Sequence, residues 1–419
     1  MNVCKAILLA LLLCSTFVPE SFAAHKKSYA MSKKVFIEIE KVNVFLDQDK
    51  YSEAKTLLTK LLKKRLSNYE KAQTHYMLGS IAFQQGHSLK ALSYFKKVLS
   101  AEGEMPEILY IRTLKTLAQL SLMQEDLKQA KTYTLKLIEV NKDKPLAENY
   151  ALLAQVNYRL NDYAATVASI NQSLSITRQK NKQPKENILL LLNSAYFEMK
   201  LYPKMLPTLE QLIKLYPKPM YMLYLASIYG QLEQLDKQTV LMESLYENGD
   251  LTKGAQVINL ANLYLSEKVP YKAATILEKA IKSGVVVQNI RNLEMLSQAW
   301  MLAGNNQKSI STLALAAEQS VDGKLFFKKA YLHYNIGEWK LAEQSMSFAL
   351  DKGLEKDKEI GEAWILIGMV RFNMHHFDSA ILACEKALNI SSSREFALSW
   401  IKYIKAEQRK YKYMLEAVK

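Results

Sequence analysis

The sequence predicts an all-α fold: a solenoid of antiparallel helix pairs wound into a right-handed superhelix, about ten repeats long with a C-terminal capping helix. Three observations carry that expectation. Pairs of sites twelve residues apart, mostly small, recur along the whole chain, as Gly79 with Ala91 or Ala118 with Ala130. Two antiparallel helices approach closely only where the facing positions lack bulk, so such pairs mark helix–helix crossings. Only 13 Gly and 9 Pro interrupt 419 residues rich in alanine, leucine and lysine, which leaves few helix breakers. Several of those breakers fall between the expected helices: Gly86, Gly304 and Gly337 inside repeats, and Pro145, Pro184, Pro203, Pro217 and Pro270 near helix ends.

At the amino terminus, Lys5 precedes an uncharged apolar run from Ala6 to Val18, followed by Pro19, Glu20 and Ser21-Phe22-Ala23. This pattern predicts a secretory signal peptide over residues 1–23, cleaved after Ala23, with Ala24-His25-Lys26-Lys27 as the mature start. An uncleaved anchor fits less well, because the run falls short of the roughly 20 residues that span a bilayer. A lipoprotein signal fits less well again, because Leu13 stands before Cys14 where such signals place a small residue. Cleavage leaves Cys384 alone, so no internal disulfide is expected, and its place on an apolar helix face suits a small hydrophobe. The chain carries 56 basic and 41 acidic residues, a net charge of +15 that loss of Lys5 and Glu20 does not change. A basic chain invites a nucleic-acid reading. Export and the scattering of lysines over nearly every helix argue against one. Anionic lipid headgroups, an acidic polysaccharide or an acidic partner are better candidates, although solvated helix faces account for most of the excess.

The segment Leu78 to Phe95 resembles the tetratricopeptide signature: a small residue on a first helix, the turn glycine Gly86, and a second small residue, Ala91, on a second helix. Repeats one to four, residues 24–176, pair Val42 with Ala54, Gly79 with Ala91, Ala118 with Ala130 and Ala154 with Thr166. A polar, lysine-rich stretch at 177–186 is the expected flexible joint. Repeats five to ten, residues 187–392, pair Asn193 with Met205, Ala226 with Gln238, Ala261 with Ala273, Ser297 with Ser309, Ala330 with Ala342 and Gly368 with Ala380. Successive repeats are 33 to 39 residues apart, and the last four add Ala280, Ala316, Ala349 and Ala387 seven residues beyond the second site. Met205 and Gln238 exceed the small-residue pattern, which predicts looser packing or a shifted register in repeats five and six. Pro203 is tolerated at a helix start, whereas Pro207 is expected to kink its helix. Residues 393–419 keep helical periodicity through Trp400, Ile401 and Ile404 and predict the cap that solvates the end of the stack.

A superhelix of helix pairs presents a groove lined by first helices. One residue past each first small site stand Asn43, Ser80, Gln119, Gln155, Ser194, Ser227, Asn262, Gln298, Tyr331 and Met369, of which eight are polar and uncharged. Amides and hydroxyls at this spacing form a candidate ladder for the backbone of an extended peptide, because each amide both donates and accepts. Three residues further on come Leu46, Phe83, Leu122, Tyr158, Phe197, Gly230, Leu265, Met301, Tyr334 and Phe372, nine of them apolar or aromatic. Tyr158, Phe197 and Tyr334 are the candidates there for burying a partner's side chains, against the simpler reading of this row as the seam between helices.

Catalysis finds little footing, and neither a cofactor nor a metal is expected. None of His25, His75, His87, His333, His375 and His376 shares a helical face with a second ligand at metal-binding spacing, and His375 and His376 fall in a turn. No phosphate-cradling glycine loop and no nucleophile elbow is present.

The phrases Asp49-Lys50-Tyr51-Ser52-Glu53-Ala54, Pro184-Lys185-Glu186-Asn187, Leu260 to Ala280 and Asn292 to Trp300 carry a narrower resemblance. With them the mature chain resembles the exported repeat proteins of Gram-negative bacteria that accompany TonB energy-transduction systems. That resemblance implies a periplasmic protein beside TonB, ExbB and ExbD, an accessory scaffold for the uptake of iron complexes and similar nutrients. The basic balance keeps open a different role, a scaffold for envelope polysaccharide export or outer-membrane protein assembly.

Overall fold

A computed structural model describes residues 29–417, so the expected signal peptide lies outside the described residues. Every regular element among them is an α-helix, 21 in all. They run as ten hairpins: α1 (Lys33–Asp47) with α2 (Tyr51–Leu61), α3 (Asn68–Gln84) with α4 (Ser88–Leu99), α5 (Glu107–Met123) with α6 (Leu127–Val140), α7 (Ala147–Arg159) with α8 (Tyr163–Gln179), and α9 (Glu186–Glu198) with α10 (Tyr202–Leu215). The series continues with α11 (Pro219–Gln231) and α12 (Leu235–Glu247), α13 (Gly254–Ser266) and α14 (Pro270–Lys282), α15 (Ile290–Leu302) and α16 (Asn306–Gln319), α17 (Lys324–Asn335) and α18 (Trp339–Lys352), and α19 (Asp357–Asn373) and α20 (Phe377–Ala387). A single long helix, α21 (Arg394–Ala417), closes the chain.

The twelve-residue pairs sit where the sequence places them. All twenty residues are buried, and Val42, Ala54, Ala91, Ala118, Ala130, Ala154 and Thr166 have no exposed surface at all. Repeats five and six keep the same register, with Asn193, Met205 and Gln238 buried in the places small residues hold elsewhere. Ala280, Ala316, Ala349 and Ala387 are buried too. Larger apolar side chains fill the spaces between hairpins, Leu58, Leu78 and Ile81 at the start of the chain and Leu260, Leu277 and Trp300 further on. Helix α10 runs on through Pro207 to Leu215 as one helix, with Pro207 on its exposed side.

Each hairpin closes by the same device. Five residues before the second site, the backbone enters the left-handed region at all ten turns: Asp49, Gly86, Glu125, Asn161, Lys200, Glu233, Lys268, Gly304, Gly337 and His375, with φ between 50° and 80°. The next residue's N–H then donates back to a carbonyl of the first helix, His87 to Ala82 at 2.8 Å, Leu201 to Tyr196 at 2.9 Å, and Glu338 to His333 at 3.0 Å. This pairing satisfies helix-end carbonyls that would otherwise be orphaned. Glycine enters that region freely, but a side chain there costs about 1 kcal/mol or more.

The chain forms two compact units, one ending at Pro217 and one beginning at Lys218. The expected joint at 177–186 is therefore corrected: it lies inside the first unit, and repeat five belongs with repeats one to four. The physical reason is that the stretch is fastened. Thr177 ends in α8 with its hydroxyl on the Ser173 carbonyl at 2.7 Å, and the Tyr216 hydroxyl donates to the Pro184 carbonyl at 2.8 Å. In the second unit, α21 caps the stack by packing Ile401 and Ile404 with Phe377, Ile381 and Cys384, while Trp400 and Tyr403 take Phe372 at 6.1 and 5.4 Å.

One carboxylate ties two helix starts together. Buried Glu70 accepts from the Ser32 N–H and the Ser67 N–H, both at 2.8 Å, at the entrances of α1 and α3. Burial works against its ionised form, but the bonds from Ser67 and Ser32 outweigh burial and hold the carboxyl below its ordinary value. A depressed folded-state pKa gives stability that is present above the unfolded value and lost as pH falls through the folded one. Glu70→Gln should therefore cost about 1 kcal/mol at neutral pH, and its gap from the parent should close in acid; urea titrations across that range measure it. The turns give a second test. With nothing within 4 Å of a β-carbon added at Gly86, Gly86→Ala should lose about 1 kcal/mol from backbone strain alone. Lys200→Gly should gain up to about 1 kcal/mol, less what its freer unfolded chain takes back. Opposite shifts of the urea midpoint are the expected outcome.

Candidate binding face on the first helices

A helix turns about 100° per residue, so the residue after a buried small site swings out of the crossing. In the first unit that position holds Asn43 on α1, Ser80 on α3, Gln119 on α5, Gln155 on α7 and Ser194 on α9, all partly exposed. Ser80 and Ser194 spend their hydroxyl protons on their own helices, on the Tyr76 carbonyl at 3.1 Å and the Leu190 carbonyl at 3.0 Å. The Asn43 amide donates to Glu40 at 3.3 Å. Gln119 and Gln155 have no side-chain bond to another described residue. In the second unit Ser227 on α11, Asn262 on α13 and Gln298 on α15 are exposed and equally without internal bonds. Tyr331 on α17 and Met369 on α19 end the row half-buried, and burial together with Glu362 and Tyr334 raises the Tyr331 hydroxyl above its ordinary pKa.

The aromatic row divides its surface between seam and solvent. Tyr158, Phe197 and Tyr334 each pack on the ring that opens the second helix of the same hairpin: Tyr163 at 5.5 Å, Tyr202 at 6.0 Å and Trp339 at 5.3 Å. These rings staple the turn. Phe197 still keeps half its surface exposed, so it offers the most apolar area of the three.

Repeat six departs from the pattern twice, and one contact explains both departures. A β-carbon at Gly230 would lie 2.8 Å from Gln238 Oε1, so the glycine that interrupts the apolar row makes room for the glutamine that interrupts the small row. Beside them opens a cleft of about 450 Å³. Its polar lining is Ser227, Gln231, Gln238, Gln256 and Asn259, over Leu223 and Met242, with no charged side chain among them. Gln256 is held at its oxygen by the Lys253 N–H at 3.0 Å, leaving its amide hydrogens toward solvent. Of this group sequence reasoning found only Ser227. The signal for the rest was available in the coincidence of Gly230 and Gln238 within one repeat.

The reactive side chains are committed elsewhere. Cys384 is fully buried, and burial pushes its thiol up to about 11, which removes it as a nucleophile at neutral pH. His333 is buried with Nδ1 2.6 Å from Glu338, whose other oxygen accepts from Gln307 at 3.1 Å; the His333 bond holds that carboxyl below its usual range. His375 lies in its turn, stacked on Tyr411 at 5.0 Å. Among the described residues no three His, Cys, Asp or Glu side chains are grouped to hold a metal ion.

Family models described as tetratricopeptide repeat match residues 39–105 and 361–394. The solved structures similar to the chain include a tetratricopeptide repeat protein from Parabacteroides merdae, 16% identical, covering 62% of this chain and 98% of its own, with a TM-score of 0.33. Another is the C-terminal part of a repeat-containing protein from Cytophaga hutchinsonii, 16% identical over 59% of this chain and 98% of its own, with a TM-score of 0.40. A third is YrrB, a repeat protein described as having an unusual peptide-binding site, 16% identical over 46% and 97%, with a TM-score of 0.36. No curated protein matches the chain. The fold is an all-α solenoid of tetratricopeptide repeats.

The compensation in repeat six has a measurable coupling. Gly230→Leu, which restores the apolar row, should cost about 1–3 kcal/mol by colliding with the Gln238 amide. Gln238→Ala in the same chain should recover at least about 1 kcal/mol of that. Additive effects in a denaturant-based double-mutant cycle would remove the explanation.

Proposed function

We propose that this chain is a non-catalytic periplasmic scaffold that holds extended protein segments against its first-helix faces, as an accessory of a TonB, ExbB and ExbD energy-transduction system. One observation carries the binding part: Gln119 and Gln155 in the first unit, and Ser227, Asn262 and Gln298 in the second, present uncharged polar groups to solvent at the same repeat position, without side-chain partners among the described residues. Of the twenty crossing sites only Asn193 and Gln238 carry amides, whereas these five polar residues stand one position outside the crossings. Amides in a row suit a main chain, whose own donors and acceptors alternate. The uncharged cleft beside Ser227 suits the same occupant, because it offers amide donors and acceptors over an apolar floor. Location and partner rest on other grounds. The signal-peptide pattern before Ala24 supports export, and the sequence resemblance supports the TonB setting.

A second reading, a scaffold for envelope polysaccharide export or outer-membrane protein assembly, is favoured by the +15 net charge. Photo-reactive side chains at Gln155 or Asn262, crosslinked in cells and analysed by mass spectrometry, separate the two. The expected capture is a periplasmic segment of TonB, ExbB or ExbD, lost when Gln119, Ser227 and Gln298 are changed to lysine. Capture of glycan-export or outer-membrane assembly components would install the second reading. No capture at these positions, with capture from elsewhere on the surface, would refute the amide row as the binding face.

A further inference from the structure

We propose that the outer, second-helix face of the first unit is a docking surface for an anionic lipid bilayer. The five second helices of that unit, α2, α4, α6, α8 and α10, carry eleven lysine or arginine residues against three carboxylates. The five of the second unit carry eight against nine. The basic excess on second helices therefore belongs to one unit. It is also uncompensated there: among the described residues, Lys131 alone of the eleven cations has a carboxylate within reach, Asp162 at 3.8 Å. In the second unit Lys272 lies 2.5 Å from Glu243, and Lys282 and Lys308 share Glu278 at 3.2 and 2.9 Å.

The arrangement is ordered by the repeat. Lys60, Lys97 and Lys136 occupy the same place, six residues past the second small site, on α2, α4 and α6, and all three are exposed. Because their helices recur once per repeat, these ammonium groups form a periodic row of positive charge that a sheet of lipid phosphates can meet. Lysine is a compact point charge on a flexible stem, suited to diffuse attraction and without the fork that fixes a single ligand. Two large apolar side chains interrupt the same helices, Leu89 on α4 at 71% exposure and Leu135 on α6 at 47%, adjacent in sequence to Lys90 and Lys136. A bilayer interface buries such side chains among its headgroups, and a soluble acidic polymer does not. That contrast selects the lipid. No described helix is long and apolar enough to cross a membrane, so the contact proposed is peripheral. It does not depend on what the first-helix face holds.

Co-sedimentation with vesicles of phosphatidylcholine, with and without one third phosphatidylglycerol, tests it. The chain should bind only the anionic vesicles and release steeply as salt rises from about 0.05 to 0.5 M. Each lysine at a membrane surface contributes about a fivefold factor in partitioning, so Lys60→Glu, Lys97→Glu and Lys136→Glu together should weaken binding by about 100-fold or more. Lys279→Glu with Lys386→Glu, the same repeat position in the second unit, should leave it within about twofold. Leu89→Ser with Leu135→Ser should weaken vesicle binding and leave binding to soluble polygalacturonate unchanged. A milder set, Lys60→Gln, Lys97→Gln and Lys136→Gln, keeps the comparison valid where charge reversal disturbs folding. Three results would overturn the proposal: no binding to anionic vesicles at low salt, equal loss from the second-unit pair, or binding to polygalacturonate with none to vesicles.

Discussion

Everything in this structure depends on how closely two antiparallel helices approach at one crossing per repeat. The crossing fixes a pair of buried sites twelve residues apart, and that interval leaves room for one turn conformation. Ten hairpins then share a left-handed residue five positions before the second site, although only three of them supply glycine. Seven side chains held in that region, Lys200 and Glu233 among them, show that crossing and turn are worth more than the local strain. The same crossing dictates what faces outward. One position past the first site is a surface position on a first helix, and six past the second is a surface position on a second helix. A binding row and a charged row follow from one contact.

The fold was legible because that contact writes a period into the sequence. All ten hairpins, their register through Met205 and Gln238, and the cap at Ile401 and Ile404 could be read from spacing. What could not be read depends on single side chains reaching across sequence distance. The stretch at 177–186 has the composition of a flexible joint, yet the Tyr216 hydroxyl bonds the Pro184 carbonyl from 32 residues away. Composition reports average solvation and is blind to one bond of that kind. The turns at Glu125, Lys200, Glu233 and Lys268 escaped for a related reason: local preference there opposes the conformation, and only the hairpin imposes it.

The candidate site was legible in part. Its polar row emerged from spacing alone, because a surface position beside a buried one follows from helical geometry. The aromatic row was ambiguous in sequence for a physical reason, since a ring at the end of a first helix is large enough to do two things. Tyr158 and Tyr334 spend one face on the hairpin turn and keep part of the other for solvent, so neither the seam nor the groove reading alone describes them. The cleft beside Ser227 needed a different kind of reasoning, in which two departures from pattern are treated as one compensated change.

Net charge illustrates the limit of a sum. A value of +15 suggests a polyanion somewhere, and by itself assigns it nowhere. Sorted by helix and unit, the second-helix excess collects on α2, α4, α6, α8 and α10, while the unbonded members of the first-helix row are amides and hydroxyls. Those two surfaces answer to different physics. Hydrogen bonds between uncharged groups and a peptide backbone change little with ionic strength, whereas a row of exposed ammonium groups is screened within about 8–10 Å at physiological salt. A protein built this way can meet an anionic surface with one set of helices and a polypeptide with the other. The repeat makes that separation available, because neighbouring positions on one hairpin are assigned to opposite tasks by the crossing that both must share.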